Sequence, residues 1–269
     1  MNETYITSLL SLQGRRAVVT GASSGIGRGI ALSLAKFGAE VALLGRRQEG
    51  LDETAAMILE DGGQCTTHVV DISIEEEVER FFLEYEQRQD SLDIFIANAG
   101  QNVRQELLET TTEEMDRLIN TNYKGTIYGL IRAGKIMKRQ KKGNIVVISS
   151  VNGISAMANL AVYSSLKYAL EGITRALAAS LAEYGVRVNS CAPGVVLSAI
   201  NENIYAVKEN LEKKLEAIPM KKIGMPKDIG DVVACMVSDA FGFMTGTTIL
   251  VDGGELLRAK QPQKTGEKE

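Results

Sequence analysis

The sequence predicts one α/β domain: a doubly wound parallel sheet of about seven strands, covered by helices on both faces. Short β-branched or apolar runs alternate with longer stretches of helical period, the pattern of repeated βα units, and the runs are apolar enough to be buried on both faces. No repeat of fixed period and no Pro/Ser-rich linker divides the chain, so residues 1–269 form a single unit.

The elements are expected in this order. Ala17–Thr20 is the first strand, and Gly25–Phe37 is a helix with Ile26, Ile30, Leu34 and Phe37 on one face. A strand at Val41–Leu44, a helix over Glu49–Glu60, a strand at Thr67–Val70 and a helix over Glu75–Glu86 follow. Leu92–Ala97 and Ile145–Ser149 read as buried strands separated by one long helix, Glu113–Lys138. The second half adds a helix over Tyr163–Glu183 and strands at Val186–Cys191 and Thr248–Val251. Residues 1–12 form an N-terminal extension, and the charged residues 258–269 form a frayed tail with almost nothing apolar to bury. Between Val195 and Met225 the pattern changes: Ser198–Ala217 looks helical and amphipathic with no adjoining strand. An insertion after a late strand lies over the carboxyl edge of such a sheet, where ligands bind, so residues 195–225 are expected to be a mobile substrate lid.

Composition narrows the function. With 45% hydrophobic and 24% charged residues, the chain lacks the bias of disordered, collagenous or disulfide-scaffold proteins. A formal charge of −4 gives no positive field for nucleic acid or an anionic membrane, which leaves small-molecule chemistry as the default. Met1–Leu12 lacks a basic n-region, and no apolar run reaches the ~18 residues of a membrane span. Cys65, Cys191 and Cys235 are odd in number and show no metal or redox spacing, so a cytoplasmic protein with free thiols is expected.

Thr20-Gly21-Ala22-Ser23-Ser24-Gly25-Ile26-Gly27 follows the first strand and opens the first long helix. A helix N-terminus offers unpaired N–H groups and partial positive charge, and glycines let a pyrophosphate come close. The glycine spacing G-x-x-x-G-x-G can equally serve a tight strand-to-helix turn, but its context points to a dinucleotide and a Rossmann-like fold. In such folds the residue after the second strand reads the ribose, an acid for NAD(H) or a basic residue for NADP(H). Here Arg46 and Arg47 stand nineteen and twenty residues beyond Gly27 and no acid does. A guanidinium grips a phosphate that a carboxylate would repel, which favours NADP(H) over NAD(H), the alternative being a solvated surface pair.

Tyr163 and Lys167 are four apart on the expected helix and share a face. A neighbouring ammonium favours phenolate, lowering the tyrosine pKa and making it a usable proton donor and acceptor. Ser150, thirteen residues before Tyr163 at the end of the fifth strand, can bring its hydroxyl to the same point.

With these residues the sequence resembles the classical short-chain dehydrogenases/reductases over about Gln13–Leu256. The resemblance rests on Thr20–Gly27, Asp71, Asn98-Ala99-Gly100, Asn122 in Asn122-Tyr123-Lys124-Gly125, Ser150, Tyr163-x-x-x-Lys167, Pro193-Gly194, Thr245-Gly246 and Asp252-Gly253-Gly254. It implies Tyr163 as general acid in carbonyl reduction and base in the reverse direction, with Ser150 bonding the carbonyl oxygen. It implies Lys167 as the group that lowers the tyrosine pKa and binds the nicotinamide ribose, and Asn122 as holder of a relay water. Gly21, Ser23, Ser24, Gly25, Ile26 and Gly27 would hold the pyrophosphate, and Asp71 with Ile72 would meet adenine. Asn98, Ala99 and Gly100 would line the cleft, and Pro193, Gly194, Val196 and Ser198 would lie against nicotinamide. Homo-oligomers, tetramers before dimers, are implied too. The chain departs from the pattern at Ala97, where the family has a first asparagine, and at Ser198, where many members have threonine. Tyr184 stands where acyl-carrier reductases often have arginine.

The remaining candidates have plainer readings. Ser149 packs as part of its strand, His68 is structural, and nothing is spaced as a metal site. Met220 and Met225 line an adaptable pocket or simply pack. Lys138, Arg139, Lys141 and Lys142 form a solvated helix end or a dock for an acidic carrier protein. The sequence thus favours NADP(H)-dependent transfer of hydride between nicotinamide and a ketone or secondary alcohol. A 3-oxoacyl thioester reductase and a sugar or polyol dehydrogenase remain alternatives within the family. A dinucleotide-sensing protein without chemistry is the alternative outside it.

Overall fold

A computed structural model describes residues 3–89, 91–198 and 202–257. After an N-terminal helix, α1 (Glu3–Leu10), the chain alternates β1 (Arg16–Thr20), α2 (Gly25–Lys36), β2 (Glu40–Gly45), α3 (Gln48–Glu60), β3 (Gln64–Val69), α4 (Glu75–Arg88) and β4 (Ile94–Ala97). The second half holds α5 (Thr112–Leu118), α6 (Thr126–Gln140), β5 (Gly143–Ile148), α7 (Ala161–Leu181) and β6 (Val186–Pro193). It ends with α8 (Glu202–Ala206), α9 (Lys208–Ala217), α10 (Pro226–Val237) and β7 (Thr248–Val251). The sheet has seven strands in the order β3-β2-β1-β4-β5-β6-β7, and every pairing is parallel.

Each central strand is apolar on both faces, which is why it can be covered twice. Ala17, Val19, Leu43, Ile94 and Ile96 pack with Ile30, Leu34, Leu51, Ile58 and Val233 from α2, α3 and α10. Val18, Phe95, Ile145 and Val147 face the other way, onto Phe82, Leu130, Ala133, Leu170 and Ala178 from α4, α6 and α7. β1 sends its crossover to β2 on one side and is flanked by β4 on the other. The chain therefore reverses direction across the sheet between the ends of β1 and β4, and that crevice opens at the carboxyl edge.

Three sequence expectations need correction. The single helix expected over Glu113–Lys138 is α5, a seven-residue π-helical segment Ile119–Gly125, and α6. The helix expected over Ser198–Ala217 is two helices, α8 and α9, separated at Val207, while residues 199–201 lie outside the described residues. Its base is pinned where Leu197 N–H donates to Gly224 C=O (2.8 Å) and Gly224 N–H to Val195 C=O (3.1 Å). α1 and α10 were not expected at all. α10 starts on Pro226, a residue whose missing N–H costs nothing at a first turn, and Asp228 caps it by accepting from Met225 N–H at 2.7 Å. Residues 258–269, expected as a frayed tail, lie outside the described residues.

Candidate active site

The site is built from strand ends. Gly21 turns the chain out of β1 with φ +70°, and Gly27 is the third residue of α2, pressed onto that turn. A Cβ on Gly27 would lie 2.2 Å from Gly21 O and 2.5 Å from Asn98 Nδ2, so only glycine brings α2 this close to β1. Ser24 occupies the cap position of α2 but makes no side-chain cap hydrogen bond. The opening N–H groups of this helix, with Gly25 and Ile26, thus face the crevice with the positive end of the dipole.

β4 is tied to this turn by Thr20, which sequence reasoning quoted in the motif but gave no role. Its hydroxyl donates to Ile96 C=O (3.2 Å) and accepts from the N–H groups of Asn98 (2.9 Å) and Ala99 (3.0 Å). Asn98 Nδ2 donates in turn to Thr20 C=O at 2.8 Å. Asn98, Ala99 and Gly100 therefore line the far wall of the crevice. Arg28 was missed as well: its guanidinium bonds Ser23 C=O, Gly50 C=O, Thr54 Oγ1 and Glu53, clamping the glycine turn to α3.

Arg46 and Arg47 follow β2, with Arg47 at the cap position of α3. The Arg46 guanidinium lies exposed, 3.9 Å from the carboxylate of Asp71 beyond β3. Asp71 spends its other oxygen on Ser73, accepting from its N–H (2.9 Å) and hydroxyl (2.7 Å), and Ile72 beside it is buried. At the opposite end, Pro193 closes β6 and leads through Gly194 and Val196 to Ser198, whose Cβ approaches to 3.6 Å the point where a Gly25 Cβ would stand.

The chemical groups collect at the ends of β5 and α7. Ser150 follows β5 and accepts from Asn152 N–H at 3.1 Å. Tyr163 lies in the first turn of α7, half-buried, with the Ser150 side chain beside its hydroxyl. Burial pushes the Tyr163 phenol above its ordinary value, and the Ser150 side chain pulls it partly back. The expected lowering by Lys167 is thus not met. The ammonium lies 5.6 Å from the tyrosine ring centroid and donates to Ile148 C=O (2.7 Å), and desolvation dominates. Burial likewise lowers Lys167 from 10.5 to about 8, opposed by the charge of Glu171.

Asn122 is central in the π-helical segment and only 1% exposed. Its Nδ2 donates to Gln101 C=O (2.7 Å) and its Oδ1 accepts from Gln101 N–H (2.8 Å), which fastens the loop beyond β4 to this segment. An amide has two donor and two acceptor sites, so one of each remains for a water. Ser149, expected inside the strand, lies one residue beyond β5; it is buried there, with its N–H donating to Cys191 C=O at 2.8 Å. His68 stacks edge-on against Phe81 (5.0 Å) on β3, away from the crevice. Lys138, Arg139 and Lys142 are engaged by the Tyr184 ring, Glu86 and Asp93.

This geometry fits a nicotinamide dinucleotide: an uncapped helix N-terminus pressed onto the first strand, a crevice at the switch point, and a Ser–Tyr–Lys set at its other end. The family described as enoyl-(acyl carrier protein) reductase matches residues 21–255. The chain is a short-chain dehydrogenase/reductase. It is 32% identical over 250 residues to levodione reductase of Leifsonia aquatica, covering 90% of this chain and 94% of that one. It is 35% identical over 257 residues to glucose 1-dehydrogenase 2 of Bacillus subtilis, covering 93% and 98%. Among solved structures it resembles a gluconate 5-dehydrogenase of Burkholderia cenocepacia in complex with NADP and tartrate, with TM-score 0.88, 27% identity and 93% and 98% coverage. The chain is an oxidoreductase of this family, acting on alcohol or ketone groups. Among the described residues no helix is long and apolar enough to cross a membrane.

Proposed function

We propose that this short-chain dehydrogenase/reductase is NADP(H)-dependent and interconverts a ketone and a secondary alcohol. The observation that carries the reading is the convergence of Ser150, Tyr163 and a buried Lys167 at the same edge as the open N-terminus of α2. Gly21, Ser23, Ser24, Gly25, Ile26 and Gly27 would hold the pyrophosphate. Asp71, Ile72, Asn98, Ala99 and Gly100 would line the adenosine side, and Pro193, Gly194, Val196 and Ser198 the nicotinamide side. The cofactor, when bound, supplies or accepts the hydride.

Ser150 donates to the carbonyl oxygen and Tyr163 gives that oxygen its proton as negative charge gathers there. Lys167 supplies the positive charge that makes a transient phenolate tolerable, which matters because burial alone opposes it. In oxidation the same groups run in reverse, Tyr163 taking the hydroxyl proton. Asn122 holds the loop that closes the crevice and offers a water site toward Lys167.

Arg46 supports NADP(H) over NAD(H). With its ion pair to Asp71 at 3.9 Å and its side chain exposed, the guanidinium can turn to a 2′-phosphate with little loss. NADP in the Burkholderia structure agrees with this assignment. The exposed apolar side chains Ile131 on α6, Tyr168 on α7 and Leu250 on β7 support a homo-oligomer, for which the family resemblance favours a tetramer before a dimer. The test is equilibrium titration with NADPH and NADH of the wild type and Arg46→Ala. Tight NADPH binding that weakens selectively in the variant supports the reading, and equal NADH binding untouched by the substitution overturns the cofactor assignment.

A further inference from the structure

Among the side chains buried near the active site, one carboxylate has no place in the chemistry above. Glu171 lies on α7 one turn beyond Lys167 and is 3% exposed. Its Oε1 accepts from Ser190 Oγ on β6 at 2.8 Å and its Oε2 from Thr248 Oγ1 on β7, with the exposed Arg175 guanidinium 3.7 Å away. Burying a carboxylate is costly even with two hydroxyl donors, and apolar side chains fill such a position between helix and sheet without that cost.

Lys167 has the complementary problem. It is 5% exposed, its only hydrogen bond among the described residues is to Ile148 C=O, and it makes no ion pair there. A buried ammonium held by one neutral carbonyl tends to lose its proton. We infer that Glu171 is a positioning residue for the active site: its buried carboxylate, held against β6 and β7, keeps the Lys167 ammonium charged. The inference rests on the proposed use of Lys167 as a cation beside Tyr163.

Residues 151–153, packed on α7, carry no ionisable side chain, while other groups face this pair from the neighbouring elements. On α7 itself these are Tyr163 and Arg175, the latter a cation that works against Glu171. β6 presents the Cys191 thiol, which burial and then Glu171 push up to about 12, so it is neutral and feels the same carboxylate. The π-helical segment carries Tyr123 and exposed Lys124, and α5 carries Glu114 near the start of α7. β5 and β7 offer no ionisable side chain at this level, only Ile148 C=O and the Thr248 hydroxyl. Glu171 is the group whose charge supports the protonated form of Lys167.

The direct test titrates Lys167 in the free protein by NMR with lysine labelled at 13Cε, its resonance assigned by its loss in Lys167→Met. In Glu171→Gln, which keeps size and polarity but removes charge, the Lys167 midpoint is expected to fall by at least about one pH unit. In Glu171→Asp, which keeps the charge, it stays within about half a unit of wild type. An unchanged midpoint in Glu171→Gln, or an equal fall in Glu171→Asp, overturns the inference. Should Glu171→Gln not fold, Glu171→Met combined with Ser190→Ala and Thr248→Val removes the charge together with its two donors, and the same fall is required. In ketone reduction with NADPH, the alkaline limb of the kcat/KM profile follows the midpoint downward, whereas a purely structural role lowers the profile evenly. A limb that stays fixed while the midpoint moves supports the electrostatic role of Glu171 and overturns the use of Lys167 in the proposed reaction.

Discussion

The buried lysine makes the stability of this enzyme depend on pH in a calculable way, and Lys167→Met exposes it. In the folded chain Lys167 titrates near about 8 instead of 10.5, because burial penalises the ammonium. The folded value lies below the unfolded one, so between these values the unfolded chain binds more protons and stability rises with pH. Below about pH 8 the folded protein carries the full cost of a buried cation, and above 10.5 it carries none. At about 1.4 kcal/mol per pH unit over about 2.5 units, that cost is about 3.5 kcal/mol. Methionine fills a similar volume without charge, so the stability difference between wild type and Lys167→Met should change by about 3.5 kcal/mol across this window, in the direction that favours the variant at neutral pH. Losing the donor to Ile148 C=O offsets part of the variant's advantage by about 1–3 kcal/mol at every pH, and so does not alter the slope. Urea unfolding of both proteins at pH 7 and at steps to pH 10.5 measures it, with the titrations of groups not coupled to Lys167 cancelling in the difference. A difference that is flat across that range refutes the reasoning.

Other substitutions test the scaffold of the crevice. Gly27→Ala places a methyl 2.2 Å from Gly21 O, and thermal unfolding should show a loss of about 3 kcal/mol or more together with loss of dinucleotide binding. Thr20→Val keeps the shape but strands the N–H groups of Asn98 and Ala99, which should cost about 2–4 kcal/mol in urea unfolding. Asn122→Asp replaces the donor to Gln101 C=O by a second oxygen, so stability should fall by about 2 kcal/mol, with a loss of turnover at the same pH.

The sheet and most of its helices were legible because their signals are local. The apolar runs at Val18–Val19, Leu43–Leu44, Ile94–Ile96 and Val146–Val147 fall inside strands, and the helical spacing of Ile26, Ile30 and Leu34 marks α2. The gathering of Gly21, Asn98 and Ser150 at one edge was legible because each follows an expected strand, and parallel strands put their carboxyl ends on one side. What escaped depends on three-dimensional placement. The π-helical break around Asn122 follows from its amide seizing the backbone of Gln101, a contact that helical periodicity does not encode. Arg28 and Glu171 look like ordinary surface charges in the sequence and are recognised only by what they touch across the fold. The pKa of Tyr163 was misjudged because helical spacing supplied the neighbour Lys167 and could not supply the burial that outweighs it. α10 differs, because Pro226 followed by Asp228 and then Ile229, Val233 and Val237 is a local helix-start signal.

In the proposed reaction Tyr163 moves the proton while NADP(H) carries the hydride. Turnover of NADPH with a panel of ketones, wild type against Tyr163→Phe, tests it most directly. The phenyl ring keeps the packing and leaves Ser150 and Lys167 in place, so NADPH binding should persist while kcat/KM falls by about 10²–10⁴. Retention of most of the turnover in Tyr163→Phe would contradict the account.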